Sequence, residues 1–304
     1  MTRPCKIGVQ LPEVERFVPW TELIAMAQAA EAVGFDSIWL GDHLLYDLPD
    51  GSVRGPWEAF TSLAALAAVT SRVQLGTLVA SLGFHEPAML AKMAATVDAI
   101  SGGRFILGVG AGWNRREYTA FGFPFDHRVD RFEEAFGVVR RLLAGETVTH
   151  AGTYYTLDSC VIDPPAARPG GPLLMLGSNS PRMLSIGLPY VHQWNVWWSI
   201  FGNTPEGLAN VVADVRARTA AAGRDPDEVE ATACVLVQVP GGAGRTMGDP
   251  TMAAIAPVAG SAQQVAEQLA AFAATGVAHL QLVVDPITQP AIEWLGAVLS
   301  LLDA

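Results

Sequence analysis

Ser101-Gly102-Gly103-Arg104-Phe105-Ile106-Leu107-Gly108-Val109-Gly110-Ala111-Gly112-Trp113-Asn114 reads as a tight turn, a short apolar strand over 104–109, and a glycine-rich exit loop ending in an aromatic and an amide. Gly108, Gly110 and Gly112 stand at every second position, and each lets a backbone or a ligand come close because no Cβ intervenes. The third glycine arrives one residue early for the G-x-G-x-x-G dinucleotide fingerprint, which must also open directly into a helix. Two readings remain. One is a strand end packed tightly on a neighbour, the other a ligand loop at the carboxyl end of a buried strand, where α/β proteins place their sites.

Outward from this stretch, apolar strands alternate with helices. Strands are predicted over 5–11, 35–40, 73–79, 104–109, 173–176, 190–198, 231–239 and 277–284. They are apolar nearly throughout, as expected of strands covered on both faces. Helices are predicted over 20–33, 57–69, 87–100, 127–144, 181–186, 205–222, 261–274 and 291–302, with a short one at 115–121. Gly34 stands where a C-terminal cap belongs, and Pro87 opens its helix at a favoured position. The long helix places Val129, Phe132, Phe136, Val139 and Leu143 on one stripe, with Asp126 as its N-cap. The rhythm breaks over 145–172, where a β-hairpin over 147–156 turns at Ala151-Gly152 and a proline-rich coil follows. That segment is too short to bury a core of its own and reads as an insertion. Eight βα units in 304 residues predict one (β/α)8 TIM barrel spanning 1–304, with its insertion between strands four and five. A doubly wound open sheet is the alternative.

Half of the residues are apolar and 16% charged, which suits extensive buried sheet. A net charge of −11 argues against nucleic acid as a partner, because phosphate neutralisation needs a basic face. No apolar run approaches the roughly 20 residues that span a bilayer, so no membrane association is expected. The N-terminal residues lack a secretory apolar region, which predicts a cytoplasmic protein. Cys5, Cys160 and Cys234 form neither a metal-ligand spacing nor a disulfide framework. The six histidines show no i, i+4 pair, so no metal site is expected.

In a barrel of this kind the carboxyl ends of the strands build the active site. They collect Asp42 and His43 after strand two, 79–85 after strand three, and Gly110 to Asn114 with Arg115 and Glu117 after strand four. Gly177 to Ser180 follow strand five, and His192, Trp194, Asn195 and Trp197 belong to strand six. The tryptophans suit the walls of a pocket for a flat aromatic ligand. Gly177-Ser178-Asn179-Ser180-Pro181 is the expected phosphate site, with small residues, two hydroxyls, an amide and a helix start; the alternative is a plain N-cap. His43 is the first choice for proton handling because its ordinary pKa lies near neutrality. Asp42 is its possible orienting group, and His85 and Glu117 are second choices. Asp126 and His127 read as structural, and Arg128 and Arg131 as a solvated face or salt bridges.

These residues together resemble the luciferase-like monooxygenase superfamily over nearly the whole chain. The likeness is carried by Gly34-Phe35-Asp36-Ser37-Ile38-Trp39-Leu40-Gly41-Asp42-His43, by Ser71-Arg72-Val73-Gln74-Leu75-Gly76-Thr77 and by Pro87-Ala88-Met89-Leu90-Ala91-Lys92. It continues from Ser101 through Asn114, then Glu117-Tyr118 and Phe121-Gly122. The resemblance implies a TIM-type barrel that binds FMN, or the deazaflavin coenzyme F420, at the carboxyl face. It implies a non-proline cis peptide behind the ring, matched here by Leu78–Val79, and places Asp42 and His43 near the ring's reactive face. Ala111, Gly112, Trp113 and Asn114 would flank ring or tail, and Gly177, Ser178 and Asn179 would hold the phosphate. Many relatives read Ala-Asp-Gly-Trp-Asn where this chain has Val191-His192-Gln193-Trp194-Asn195, so this wall differs.

The Gly-Ala-Gly-Trp-Asn run before Arg-Glu-Tyr resembles the subgroup often assigned to F420, which implies hydride transfer between that coenzyme and a small organic substrate. An FMN-dependent monooxygenase using reduced flavin and O₂ is the alternative, and a flavin-binding barrel without turnover a third. The resemblance further implies a homodimer.

Overall fold

The computed structural model describes residues 3–48, 50–244 and 254–304, and it forms a closed ring of eight parallel strands. These are β1 Lys6–Gln10, β2 Ser37–Leu40, β3 Gln74–Thr77, β4 Phe105–Gly110, β5 Leu173–Gly177, β6 Gln193–Val196, β7 Glu230–Gln238 and β8 His279–Asp285. Each pairs with the next in sequence, and β8 closes on β1 through the partners Lys6↔His279 to Val9↔Leu282. The open-sheet alternative is thereby excluded. Helices α1 Trp20–Val33, α2 Ala59–Val69, α3 Pro87–Ser101, α4 Arg115–Phe121, α5 Arg128–Leu143, α6 Pro181–Gly187, α7 Pro205–Ala221, α8 Ala262–Ala273 and α9 Gln289–Asp303 lie along the chain between and after the strands. None of the described helices is long and apolar enough to cross a membrane.

Helix ends follow local chemistry. Gly34 caps α1 in the left-handed region at φ 101°, and Ser261 with Gln264 forms a reciprocal capping box at α8. Three sequence expectations shift. The N-cap position of α5 is His127, not Asp126, whose Oδ1 instead accepts from Arg131 Nη2 at 3.1 Å. The hairpin of the insertion pairs Val148–Ala151 with Thr156–Cys160, so the chain reverses through 152–155, beyond Ala151-Gly152. Strand six begins at Gln193, three residues later than expected, and ends at Val196. The segment between β7 and α8 lies partly outside the described residues.

Inside the ring, Trp39 is fully buried and fills the space that Gly8 and Gly76 leave open: a Cβ on Gly76 would stand 2.2 Å from its ring. Its Nε1 donates to Ser37 Oγ at 2.6 Å, and Ser37 Oγ lies 2.7 Å from His279 Nε2. His279 is wholly buried, and burial pushes its pKa down to about 3, so it sits neutral in the barrel. At the amino end of β4, Arg104 donates to the carbonyls of Ala67, Thr70, Val73 and Ser101 and to Thr70 Oγ1. The Ser101-Gly102-Gly103-Arg104 turn thus ties the end of α2 to the barrel at the amino end of β4.

Candidate functional site

The carboxyl ends of the strands open into a cavity of about 740 Å³, a size suited to a drug-sized or cofactor-sized ligand. The Leu78–Val79 peptide at its floor is cis. Beyond it, Ala80 and Ser81 pair with Val109 and Gly110 of β4, which turns Val79 into the cavity. The alternate glycines now have a physical account. A Cβ on Gly108 would stand 2.2 Å from Thr77 O, one on Gly110 2.9 Å from Val79 Cγ2, and one on Gly177 2.7 Å from Val79 Cγ1. Both readings of the glycine run therefore meet in one feature: tight packing on a neighbour, and that neighbour is the cavity's Val79 ledge. Gly112 has φ +69°, and a Cβ there would lie 2.3 Å from both Ser81 Oγ and the Tyr118 hydroxyl.

His43 leaves the end of β2 and lines the cavity. Its Nδ1 lies 3.1 Å from both carboxylate oxygens of Glu117, on the first turn of α4. Glu117 is 1% exposed, against 21% for the imidazole, and it also accepts the backbone N–H of Leu44 at 2.6 Å and of Leu45 at 3.3 Å. One buried carboxylate thus holds both the ring and the loop that carries it. Burial alone would lower the His43 pKa, but the Glu117 hydrogen bond and the charges of Glu13, Glu117 and Asp42 outweigh it and hold the pKa above its ordinary value. With Nδ1 engaged by Glu117, Nε2 is the nitrogen left to face a ligand. The rings of Tyr46 and Trp113 stand 4.8 and 5.7 Å from the imidazole and wall it on the outer side.

Asp42 also lines the cavity, but its carboxylate turns toward the loop after β3. Oδ2 accepts from the Ser81 N–H at 2.9 Å and lies 2.8 Å from His85 Nε2. His85 has a raised pKa because the Asp42 hydrogen bond and charge outweigh its burial. Asp42 thus fastens the loop behind Val79, while His43 pairs with Glu117 on the cavity wall. Tyr118 adds to the same fastening, with its hydroxyl 2.9 Å from Ser81 Oγ and donating to Ala111 O at 2.8 Å.

On the opposite wall Gly177, Ser178, Asn179 and Ser180 line the cavity. Ser180 caps α6 by accepting from Met183 N at 3.4 Å, and the Ser178 carbonyl is held by Trp194 Nε1 at 2.7 Å. Leu78, Val79, Ala111, Gly112 and Trp113 also border the cavity, whereas Asn114 does not. Asn114 caps α4 through Arg116 N and donates to Leu45 O at 3.3 Å. His192 lies away from the site, before β6, where its Nδ1 accepts the Leu174 N–H at 3.0 Å.

Several lining residues escaped the sequence reading: Gln10, Glu13, Arg128 and Trp198. Arg128, expected on a solvated face, opens α5 toward the cavity, packs over the Phe125 ring at 4.3 Å and donates to Gly112 O. Its position just inside a helix start was a signal that went unused. Glu13 folds over Gly41, where a Cβ would stand 1.7 Å from Oε1. Among the described residues, Gln10 Oε1 and Trp198 Nε1 are buried polar atoms without a protein partner, and both residues line the cavity. Such atoms are costly to bury unless a ligand or water completes them.

The luciferase-like monooxygenase family profile matches residues 6–241 of this chain. A phthiodiolone/phenolphthiodiolone dimycocerosates ketoreductase of Mycobacterium tuberculosis is 32% identical over 216 residues, covering 65% of this chain and 56% of that protein. An F420-dependent glucose-6-phosphate dehydrogenase of Microbacterium testaceum is 38% identical over 170 residues, covering 54% of this chain and 49% of that one. The chain spans about half the length of the curated relatives it matches. Among solved structures, an F420-dependent secondary alcohol dehydrogenase in complex with an F420-acetone adduct superposes with TM-score 0.82 at 21% identity, covering 100% of both chains. The EDTA monooxygenase of Chelativorans sp. BNC1 superposes with TM-score 0.80 at 16% identity, covering 98% of this chain and 93% of that one. At these identities the two superpositions speak to the barrel alone.

Proposed function

Because the chain belongs to the luciferase-like monooxygenase family, we propose that it is an oxidoreductase that moves a hydride between the deazaflavin coenzyme F420 and a small organic substrate. The observation that carries this reading is the His43–Glu117 pair, a buried carboxylate engaging Nδ1 of an imidazole that lines the cavity. Relatives named for F420 support the choice of coenzyme.

The residues present fit such a group. The Val79 ledge, kept clear by Gly110 and Gly177, gives a flat ring an apolar back. Ser178 to Ser180, with Arg128 on the same cavity, offer hydroxyls, an amide and one cation for a phosphorylated tail. When bound, the coenzyme supplies a hydride donor or acceptor carbon in place of a flavin's N5.

The protein's own part is proton handling and placement. His43 gives a proton from Nε2, or takes one there, as the substrate oxygen gains or loses its hydrogen. Glu117 is a positioning residue: it holds Nδ1–H, so the tautomer is set and the imidazolium is stabilised. Asp42, His85 and Tyr118 hold the loop behind Val79, and Tyr46 and Trp113 screen the reacting atoms from water.

A side-by-side binding titration with F420 and FMN tests the reading, with tighter binding of F420 expected. A clear preference for FMN would replace it with the flavin-dependent monooxygenase. His43→Asn should lower turnover ~10²-fold or more with little change in coenzyme affinity.

A further inference from the structure

We propose that His85 is a positioning residue for the coenzyme: as an imidazolium it answers the Asp42 charge and keeps that carboxylate on the loop that carries Val79, so coenzyme affinity falls as His85 loses its proton. This rests on the coenzyme reading above and adds to its site a residue that does not itself line the cavity.

One oxygen closes a turn at both ends. From Val79 the chain passes through Ala80 and Ser81, turns tightly over Leu82–Phe84, and reaches His85 just before α3 opens at Pro87. Asp42 Oδ2 accepts the Ser81 N–H at 2.9 Å and lies 2.8 Å from His85 Nε2. The turn's own tie is weaker, from the His85 N–H to Leu82 O at 3.3 Å. Ser81 stands two residues beyond Val79, so the place of its N–H bears directly on the ledge. Tyr118 holds Ser81 separately, through Oγ. Loosening Asp42 therefore weakens the seat without dissolving the loop.

The charges that face His85 are of one sign. Asp42 meets it from the end of β2. Glu58 acts on it from the N-cap of α2, where that carboxylate also accepts the N–H groups of Phe60 and Thr61 at 2.9 and 2.7 Å. The Phe60 ring meets the imidazole edge-on at 5.3 Å, and Glu86, the next residue, is exposed. Among the described residues His85 is the one basic side chain in ion-pair contact with Asp42, since His43 is engaged by Glu117.

The Asp42 side chain is 2% exposed and the imidazole 14%. Asp42 also borders the cavity, so a ligand that fills it displaces the last water and leaves the carboxylate to its protein partners. That costs little when one partner is a cation and more when both are neutral. Burial alone would lower the His85 pKa, but the Asp42 hydrogen bond and charge, with the Glu58 charge, hold it above its ordinary value. The ion pair is complete at acid pH and is lost as pH rises through the folded value. A neutral ring with its hydrogen on Nε2 still donates to Oδ2, but that bond is about half as strong.

The test is a titration with F420 at intervals between about pH 6 and pH 9, on the unaltered protein and on His85→Gln, whose amide can donate to Asp42 but carries no charge. Ionisations of the coenzyme are common to both proteins and cancel in the ratio of their Kd values. His85→Gln should bind roughly fivefold more weakly at the acid end and equally well at the alkaline end, where neither protein has the cation. By reciprocity, saturating coenzyme should move the His85 ring titration, followed by NMR, toward alkali. A Kd ratio constant across the range is what a purely structural role gives, and it overturns the proposal. A His85 titration unmoved by coenzyme overturns it as well. If FMN alone binds, the choice of F420 falls and the same comparison is made with FMN. Protein that binds neither refutes the coenzyme reading instead. The hold on the loop is then read from hydrogen exchange at the Ser81 amide of the ligand-free protein. Its protection factor should fall roughly fivefold as His85 titrates and stay constant in His85→Gln; a factor that stays constant in the unaltered protein overturns the proposal.

Discussion

Replacing Glu117 by Gln keeps the shape of the buried side chain and an oxygen for the Leu44 N–H, but removes the charge facing His43. At the 3.1 Å separation of the pair, Coulomb's law gives about 1.3 kcal/mol in bulk water and about 5 kcal/mol at an effective dielectric of 20. With the imidazole one-fifth exposed, solvent screening favours the lower part of that range, and without the charge the His43 pKa falls from its raised position. The sign follows from the folded state. The pKa is raised, so the pair's stabilisation is complete below the unfolded value near 6.5 and is lost as pH rises through the folded value. As a proton donor His43 should give a kcat/KM for substrate reduction that declines on the alkaline side. Glu117→Gln should move that decline toward acid. The Gln amide can also donate to Nδ1, which drives the neutral proton to Nε2 and should appear in the ring's ¹⁵N shifts. The assay is a pH profile of both proteins, paired with NMR titration of the His43 ring assigned through His43→Asn. A decline that stays in place, or moves toward alkali, would refute the reasoning.

Three further outcomes follow from the same geometry. Gly110→Ala places a methyl 2.9 Å from Val79 Cγ2 at the cavity floor, so coenzyme Kd should rise by about tenfold or more while the melting curve stays cooperative; unchanged Kd in a titration would remove the Val79 ledge from the site. Arg104→Lys strips a fork that serves four carbonyls and a hydroxyl at the other end of the barrel, and should cost about 2–4 kcal/mol in urea unfolding with coenzyme affinity unaltered. His279 is buried neutral with its pKa depressed to about 3, so the stability tied to it is whole above about 6.5 and declines as pH falls. Between pH 7 and 5 the unaltered protein should lose about 2 kcal/mol that His279→Gln does not lose, measured as the difference in their urea midpoints.

The barrel was legible in the chain itself, because strand and helix signals are local. Apolar runs recur eight times, six of them ended directly by Gly, Pro or Asp, and a parallel strand buried on both faces leaves that trace whatever its neighbours are. The residues at strand ends followed from the same count, so Asp42, His43 and Gly177 to Asn179 were placed by topology before any contact was known. Glu117 was weighed as a second choice, since a lone acid in a helix shows nothing of what it faces.

Tertiary structure decided the division of labour. Asp42 and His43 are neighbours in sequence and both line the cavity, yet the carboxylate fastens the loop behind Val79 through Ser81 and His85 while the imidazole is held by Glu117. Arg128 looked like surface and lines the cavity, Asn114 looked like a ligand group and caps a helix, and His192 stands before its strand begins. Each of these depends on where a strand starts or which way a helix end points, a matter of one or two residues. Local pattern does not carry that precision, since hydrogen bonds and packing between distant segments set it.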